Sequence, residues 1–437
     1  MNVLGLDFGS SSVKAGILRG TSVVGELVSR PLKTRYDGVR AEVDAREILG
    51  AMAAAIRDLG KPARNVETIA LSVMSPAWVA MDHEGRAITP IVTHQDRRSV
   101  ELARELERRL GKARYLKLAG NRPFPGGISC TTWAWFLLHA APVMKKADLC
   151  GHLNTFLHRQ LTHARLIDPS NASFTGFYET LTQKGWNDDL IDTVGIQRHR
   201  LPQIIGSDAI GGFVTRSAAA RFGLTHGTPV LAGMVDTSAA MLLAGGTRGL
   251  RAGQLVNVSG STDVLGLLVQ KPIPHERLLT RALGVGKNWM SVGTVAAAGS
   301  ALDWARRELF GDWPQTKFWD EVKRTPNQKP HTTPVRFEPY LAGERTSMEQ
   351  RTGAFTGLTL ATTRHEMLTA IIDGLATVGA QRLELLRTVG RIGRDVMVSG
   401  GRGQVGPVMR RDWPGKWRVR QEQQATLRGL GLLVPKQ

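Results

Sequence analysis

The chain has 437 residues, a formal net charge of +19, 42% hydrophobic and 22% charged residues. That length exceeds one ordinary domain, and the balance is that of a globular chain with a sizeable core, which excludes a disordered or fibrous protein. Two cysteines, Cys130 and Cys150, exclude a disulfide framework, no run of about 18 apolar residues predicts a membrane span, and a reducing cytoplasm is the expected compartment.

Val3–Phe8, Val13–Leu18 and Ser22–Leu27 predict three successive strands joined by short turns. The stretch AREILGAMAAAIRDLG then predicts a helix with Ile48, Met52, Ala55, Ile56 and Leu59 on one face. VETIALSVMS predicts a strand, and RRSVELARELERRLG a helix that aligns Val100, Ala103, Leu106 and Leu110. Residues 121–200 give mixed signals. Within them Trp133, Trp135 and Phe136 are read as core, not as a sugar-stacking platform. HGTPVLAGMVDTSAAMLLAGG predicts a strand, a Gly/Asp turn and a small-residue helix. GQLVNVSGSTDVLGLLVQ then repeats the opening pattern of strand, Gly/Ser/Thr turn and strand. RHEMLTAIIDGLATVGAQRLELLRTVG predicts the longest amphipathic helix, and RDVMVSGGRGQVG a strand running into a glycine turn. Two related halves follow, residues 1–243 and 244–437, a duplication at domain scale.

The chemistry sits in the repeated turns. Gly9, Ser10, Ser11 and Ser12 expose backbone N–H groups and hydroxyls, a concave site suited to phosphate. Gly260, Ser261 and Thr262 do the same in the second half. Two matched turns would grip a polyphosphate from two sides. Asp7 stands at the end of the first strand. A carboxylate beside phosphates is repelled unless a cation intervenes, so Asp7 points to Mg²⁺, held directly or through water. No GxxxxGK[ST] P-loop occurs. Gly401, Gly403 and Gly406 satisfy GxGxxG, but Pro407 interrupts the helix that a dinucleotide turn must open. From the residues alone, Asp236 reads as the N-cap of the helix that follows it.

GLDFGSSSVKAGIL, HQDRRS, DPSNASFTGFYE, GMVDTSAAMLLAGG, SGSTDV, AAAGSALDWARREL, YLAGERTSMEQRTGAFTGLTL and VSGGRGQ span nearly the whole chain. In this order they resemble the FGGY carbohydrate kinase family, xylulokinase-like, of the sugar kinase, actin and heat-shock ATPase superfamily. The resemblance implies an α/β fold of two ribonuclease-H-like (actin-like ATPase) domains flanking a central cleft. It makes Asp236, in Gly233-Met-Val-Asp236, the catalytic base for phosphoryl transfer from ATP. Lys14 would lie near the β- and γ-phosphates with Gly9–Ser12. Gly299, Gly400 and Gly401 would face the nucleotide, where missing side chains admit ribose and adenine. Asp96 resembles the substrate carboxylate of the family, and Met74 and Ser75 its substrate loop. The GERT segment, Gly343–Thr346, would organise the face between the domains.

The sugar-site motifs depart from the family more than the phosphate motifs do. Met74, Ser75 and Pro76 stand where a Gln or His is usual, His94 where a Trp is common, and the adenosine loop continues Arg402, Gly403, Gln404. The expected reaction is therefore ATP- and Mg²⁺-dependent phosphorylation of a terminal hydroxyl on a small sugar. A ketopentose of the xylulose or ribulose type is the first expectation, with another ketose or a polyol behind it. A catalytically silent sugar- or nucleotide-binding regulator of the same fold is the alternative. The positive charge is scattered arginine without a nucleic-acid module, so neither a specific nucleic-acid partner nor a membrane is expected. A homodimer is the one macromolecular assembly left open. Cys150, His152, His158 and His163 fit no common zinc spacing.

Overall fold

Val3–Phe8 is buried along its whole length, with apolar side chains on both faces, as a central strand covered on two sides requires. In the computed structural model, which describes residues 1–246, 249–324, 334–400 and 405–434, this strand anchors the first sheet. It pairs antiparallel with Ser12–Arg19, which pairs antiparallel with Ser22–Pro31. On its other side Thr68–Val73 runs parallel, then Pro229–Leu231, with Ile210–Phe213 antiparallel at the edge. The second half repeats the order. Leu255–Ser259 pairs antiparallel with Asp263–Val269, which pairs antiparallel with Trp289–Val295. Asp395–Ser399 and Arg418–Gln421 then run parallel on the far side. Three antiparallel strands followed by parallel ones is the ribonuclease-H-like order expected, and it occurs twice.

Helices cover both sheets. Ala45–Leu59 starts at Asp44, whose side chain accepts from Arg46 N, and buries Ile48, Met52, Ala55 and Ile56. Arg364–Val389 begins with a reciprocal capping box between Thr363 and Glu366. The short helix Ala425–Leu430 crosses back. It packs on Asp236–Gly245 and on the first strands of the chain. A Cβ on Gly429 would stand 1.9 Å from the Ala239 carbonyl oxygen, so only glycine lets these helices meet. The last described helix of the second half thus completes the core of the first. Among the described residues no helix is long and apolar enough to cross a membrane.

Local sequence did not reveal a second sheet in the first half. It joins Arg35–Asp37, Arg40–Val43, Ile91–Thr93, Ala77–Met81 and Leu149–His152. Trp78 lies on it, with ring centroids 6.1 Å from Trp133 and 4.9 Å from Phe136, so the tryptophan cluster is core. The two halves close on each other through polar contacts. Gln95 Nε2 donates to the Ala296 carbonyl at 3.0 Å, and Arg97 Nη2 to the Ser347 and Glu349 carbonyls. The Asn121 side chain donates to the Thr280 carbonyl and accepts from its N–H. The cleft lies between these contacts.

Candidate active site

Three neighbouring parallel strands end together. Register pairs Asp7 with Ser72, and Ser72 with Met234 of the short strand Met234–Val235. Just beyond, the chain leaves the sheet, so Asp7, the Met74–Ser75 corner and Asp236 arrive at one place. It is the carboxyl end of the strands, where open α/β sheets bind ligands. Gly233 makes the third arrival possible. Its φ is +77°, and a Cβ there would lie 2.4 Å from the Leu71 carbonyl oxygen, a close approach open to glycine alone.

Asp7 is buried and accepts from Ser72 Oγ at 2.7 Å. Burial pushes its carboxyl up to about 6, against the pull of Lys14 and Ser72, and Asp236 adds repulsion. Lys14 faces Asp7 across the hairpin, and its Nζ donates to Gln424 Oε1 at 3.1 Å. Asp236 is the first residue of the helix Asp236–Gly245, and Val235 occupies the cap. The N-cap reading is corrected by one position. Thr237 N donates to Asp236 Oδ1 at 2.5 Å. Burial raises the Asp236 carboxyl, while Arg281 and the Thr237 bonds hold it down. Part of its surface stays open. A buried carboxylate whose proton affinity a second carboxylate raises further is one that a cation would relieve. Among the described residues no group of three His, Cys, Asp or Glu side chains is arranged to hold a metal.

The first turn closes with Gly9 N donating to the Ser12 carbonyl at 3.0 Å. Ser11 is exposed, and Gly9, Ser10 and Ser12 are half-buried. The second turn closes with Gly260 N donating to the Thr262 carbonyl at 2.8 Å. The carbonyl of Ser261 then accepts from Ala298 N and Ser300 N, and that of Gly260 from Gly299 N. A Cβ on Gly299 would lie 2.3 Å from Gly260 O, and one on Gly400 1.7 Å from Ser259 O. Gly260, Ser261, Thr262, Gly299 and Gly400 therefore gather at one sheet end, where Gly299 and Gly400 have no room for a side chain. Gly401 lies outside the described residues.

On the expected sugar side, Asp96 is buried. Both of its oxygens are taken by the protein. Oδ2 accepts from Ala41 N, Oδ1 from Arg98 N, and the Arg98 guanidinium grips both. The carboxylate fixes its own loop through these bonds. Met74 and Ser75 are buried, and the Ser75 carbonyl accepts from Arg345 Nη2 at 2.6 Å. The GERT segment thus reaches across to the first half, but Arg345 itself had no role in the sequence reading. Arg281 and Phe174 were missed too. Arg281 Nη2 donates to Thr237 Oγ1 at 2.5 Å, and both guanidiniums lie against the Phe174 ring, 5.7 and 5.2 Å from its centroid. A buried aromatic and two buried arginines, from segments far apart in sequence, leave no local signal. The imagined zinc set is dispersed in other bonds: His152 Nε2 lies 2.8 Å from Ser129 Oγ, and His158 Nε2 3.2 Å from the Ala232 carbonyl.

A duplicated ribonuclease-H-like fold with a glycine/serine turn in each half and two buried carboxylates at the strand ends is that of the two-domain actin-like class. The N-terminal domain model of the FGGY family of carbohydrate kinases matches residues 2–243, and the C-terminal domain model residues 255–410. The chain belongs to this family, whose members transfer phosphate to an alcohol group. It is 26% identical over 388 residues to a gluconokinase of Bacillus subtilis, covering 85% of this chain and 74% of that one. The fold matches a xylulose kinase from Rhodospirillum rubrum with TM-score 0.81 and 23% identity, over 99% of this chain and 90% of the other. It matches a Plasmodium falciparum glycerol kinase with ADP at 0.80 and 18% identity, over 99% and 88%.

Proposed function

We propose that the protein transfers the γ-phosphoryl group of ATP to a terminal hydroxyl of a small open-chain sugar derivative, with Asp236 accepting the hydroxyl proton. The observation that carries this is the common arrival of Asp7, Met74–Ser75 and Asp236 at the ends of three adjacent parallel strands. Phosphoryl transfer needs placement, charge neutralisation and one oriented base rather than covalent help. Asp236 suits the base. Burial raises its proton affinity, as suits a group that must accept a proton.

In this reading Gly9, Ser10, Ser11, Ser12 and Lys14 take the phosphates from one side, and Gly260, Ser261 and Thr262 from the other. Gly299 and Gly400 form the backbone floor on the nucleoside side, the role the resemblance also gives Gly401, which lies outside the described residues. Asp7 holds Mg²⁺, directly or through water, and that ion supplies charge neutralisation at the phosphates. Met74 and Ser75 line the acceptor end. Asp96 serves from behind, by fixing the loop. The functional division falls near Leu243, with the acceptor and base on the first half and the nucleotide on the second. Closure of the halves excludes water that would otherwise hydrolyse ATP. The named relatives act on gluconate, xylulose and glycerol, three acceptors with a terminal hydroxyl. The presence of both Asp7 and Asp236 in the cleft favours turnover over a silent regulator.

The test is ADP release from MgATP across ketopentoses, polyols and sugar acids, with Asp236→Asn beside wild type. One acceptor should raise ADP release at least about tenfold over the no-acceptor baseline. The variant should lose about 10³-fold of that rate and keep its ATP affinity. A flat panel with intact ATP binding, or a variant near wild-type turnover, contradicts the reading.

A further inference from the structure

We propose that the acceptor is an open-chain sugar acid whose carboxylate is received by the guanidinium groups of Arg281 and Arg345, beside the Phe174 ring. The inference rests on the kinase reading and names the acceptor class within it.

Both arginines are buried, Arg281 at 0% and Arg345 at 7% exposure. Each spends one nitrogen on the protein: Arg281 Nη2 on Thr237 Oγ1, Arg345 Nη2 on the Ser75 carbonyl. Arg281 Nε and Nη1 and Arg345 Nε have no hydrogen-bond partner among the described residues. Burying charged donors without acceptors is costly, and here two such groups share one ring. Burial lowers Arg281 to about 10 and Arg345 to about 9, the latter helped down by Arg281. Both therefore stay charged at neutral pH.

The neighbouring acids attract these guanidiniums but hydrogen-bond to neither. Asp168 attracts Arg281, but its oxygens already accept from Asn154, Ser170 and Asn171. Asp236 attracts both arginines and is the group that takes the acceptor proton. Burial pushes His94 and His152 down to about 3, so both are neutral. Their Nδ1 atoms, and Ser75 Oγ, are also without partners. What remains is a set of guanidinium N–H groups without acceptors, with two carboxylates nearby that bond to neither arginine and neutral polar groups between. That set complements one carboxylate followed by hydroxyls. A neutral ketose would leave the guanidinium N–H groups without a charged acceptor, whereas a carboxylate matches their planar fork.

The experiment compares D-gluconate, D-xylonate and D-erythronate, each beside the alditol of the same carbon skeleton, and D-xylulose. Melting-temperature shifts without nucleotide and kcat/KM with MgATP are read on wild type, Arg345→Gln and Arg345→Lys. At least one aldonate should raise the melting temperature where its alditol does not, and exceed it about 100-fold in kcat/KM, as a charged hydrogen-bonded pair warrants. Arg345→Gln should collapse that ratio to within about threefold, and Arg345→Lys should retain part of it. An alditol or D-xylulose that matches every aldonate in wild type overturns the proposal, whether or not the variants fold. So does an Arg345→Gln loss equal for all acceptors, which would assign Arg345 to the transferred phosphoryl group. Selective stabilisation by an aldonate with no turnover of any acceptor would uphold the acid site and defeat the kinase reading.

Discussion

The two glycine/serine turns occupy equivalent places in duplicated sheets, yet their carboxylates live differently. In the first turn Asp7 takes one hydrogen bond, from Ser72, and is left with a raised proton affinity beside Asp236. In the second, Asp263 accepts from both Asn257 and Ser259 and is paired with Arg382 at 2.6 Å. Arg410 reinforces that ring by donating to Asn257 Oδ1. The two acids lie on different strands of their hairpins, Asp7 on the first and Asp263 on the second; the first holds a single hydrogen bond, and the second fastens its own turn.

Asp7→Asn should break the first half of this contrast most severely. Turnover should fall at least about 100-fold, the range for removing a charge-positioning group, while the Ser72 bond can persist to the amide oxygen. The stability effect has the opposite sign. A folded-state carboxyl near 6 against an ordinary 3.8 means that the folded protein holds this proton more tightly than the unfolded chain. Stability is therefore lost as pH rises from about 4 to about 6, and the deficit, about 3 kcal/mol, persists above that. The metal-free variant should recover it at pH 8, measured by denaturant unfolding. Asp263→Asn should do the reverse, because Arg382 is left as an unpaired buried charge, at a cost of about 3–5 kcal/mol in the same assay. The smallest effect belongs to Gly299→Ala. Its Cβ meets Gly260 O, so the second turn must shift, and KM for ATP should rise about tenfold, ~1.4 kcal/mol of binding, with kcat little changed.

The hairpins, their acids and the long helices were legible because period and turn chemistry are local. Asp236 was not: alone it read as a cap, and only the family resemblance marked it as a base. The burial of Asp96 and its bonds to Arg98 and Ala41 were not legible either, because Ala41 lies 55 residues away in the chain. The second sheet stayed hidden because its short strands pair across long separations, such as Trp78 with His152, with no periodic run to announce them. Arg281 and Arg345 met the same obstacle. Their meaning lies in what they fail to pair with, and that exists only in three dimensions. They also locate part of the excess positive charge: Arg97, Arg281, Arg345 and Arg382 are interior and serve the site and its supports rather than a basic surface.

The most direct test measures acceptor-dependent turnover and unfolding free energy together, for Asp7→Asn and Asp263→Asn in one buffer at pH 8. The account predicts a crossing: Asp7→Asn inactive yet at least as stable as wild type, and Asp263→Asn destabilised with its folded fraction still turning over. An active Asp7→Asn protein, or an Asp263→Asn protein that is stable and inactive, would contradict it.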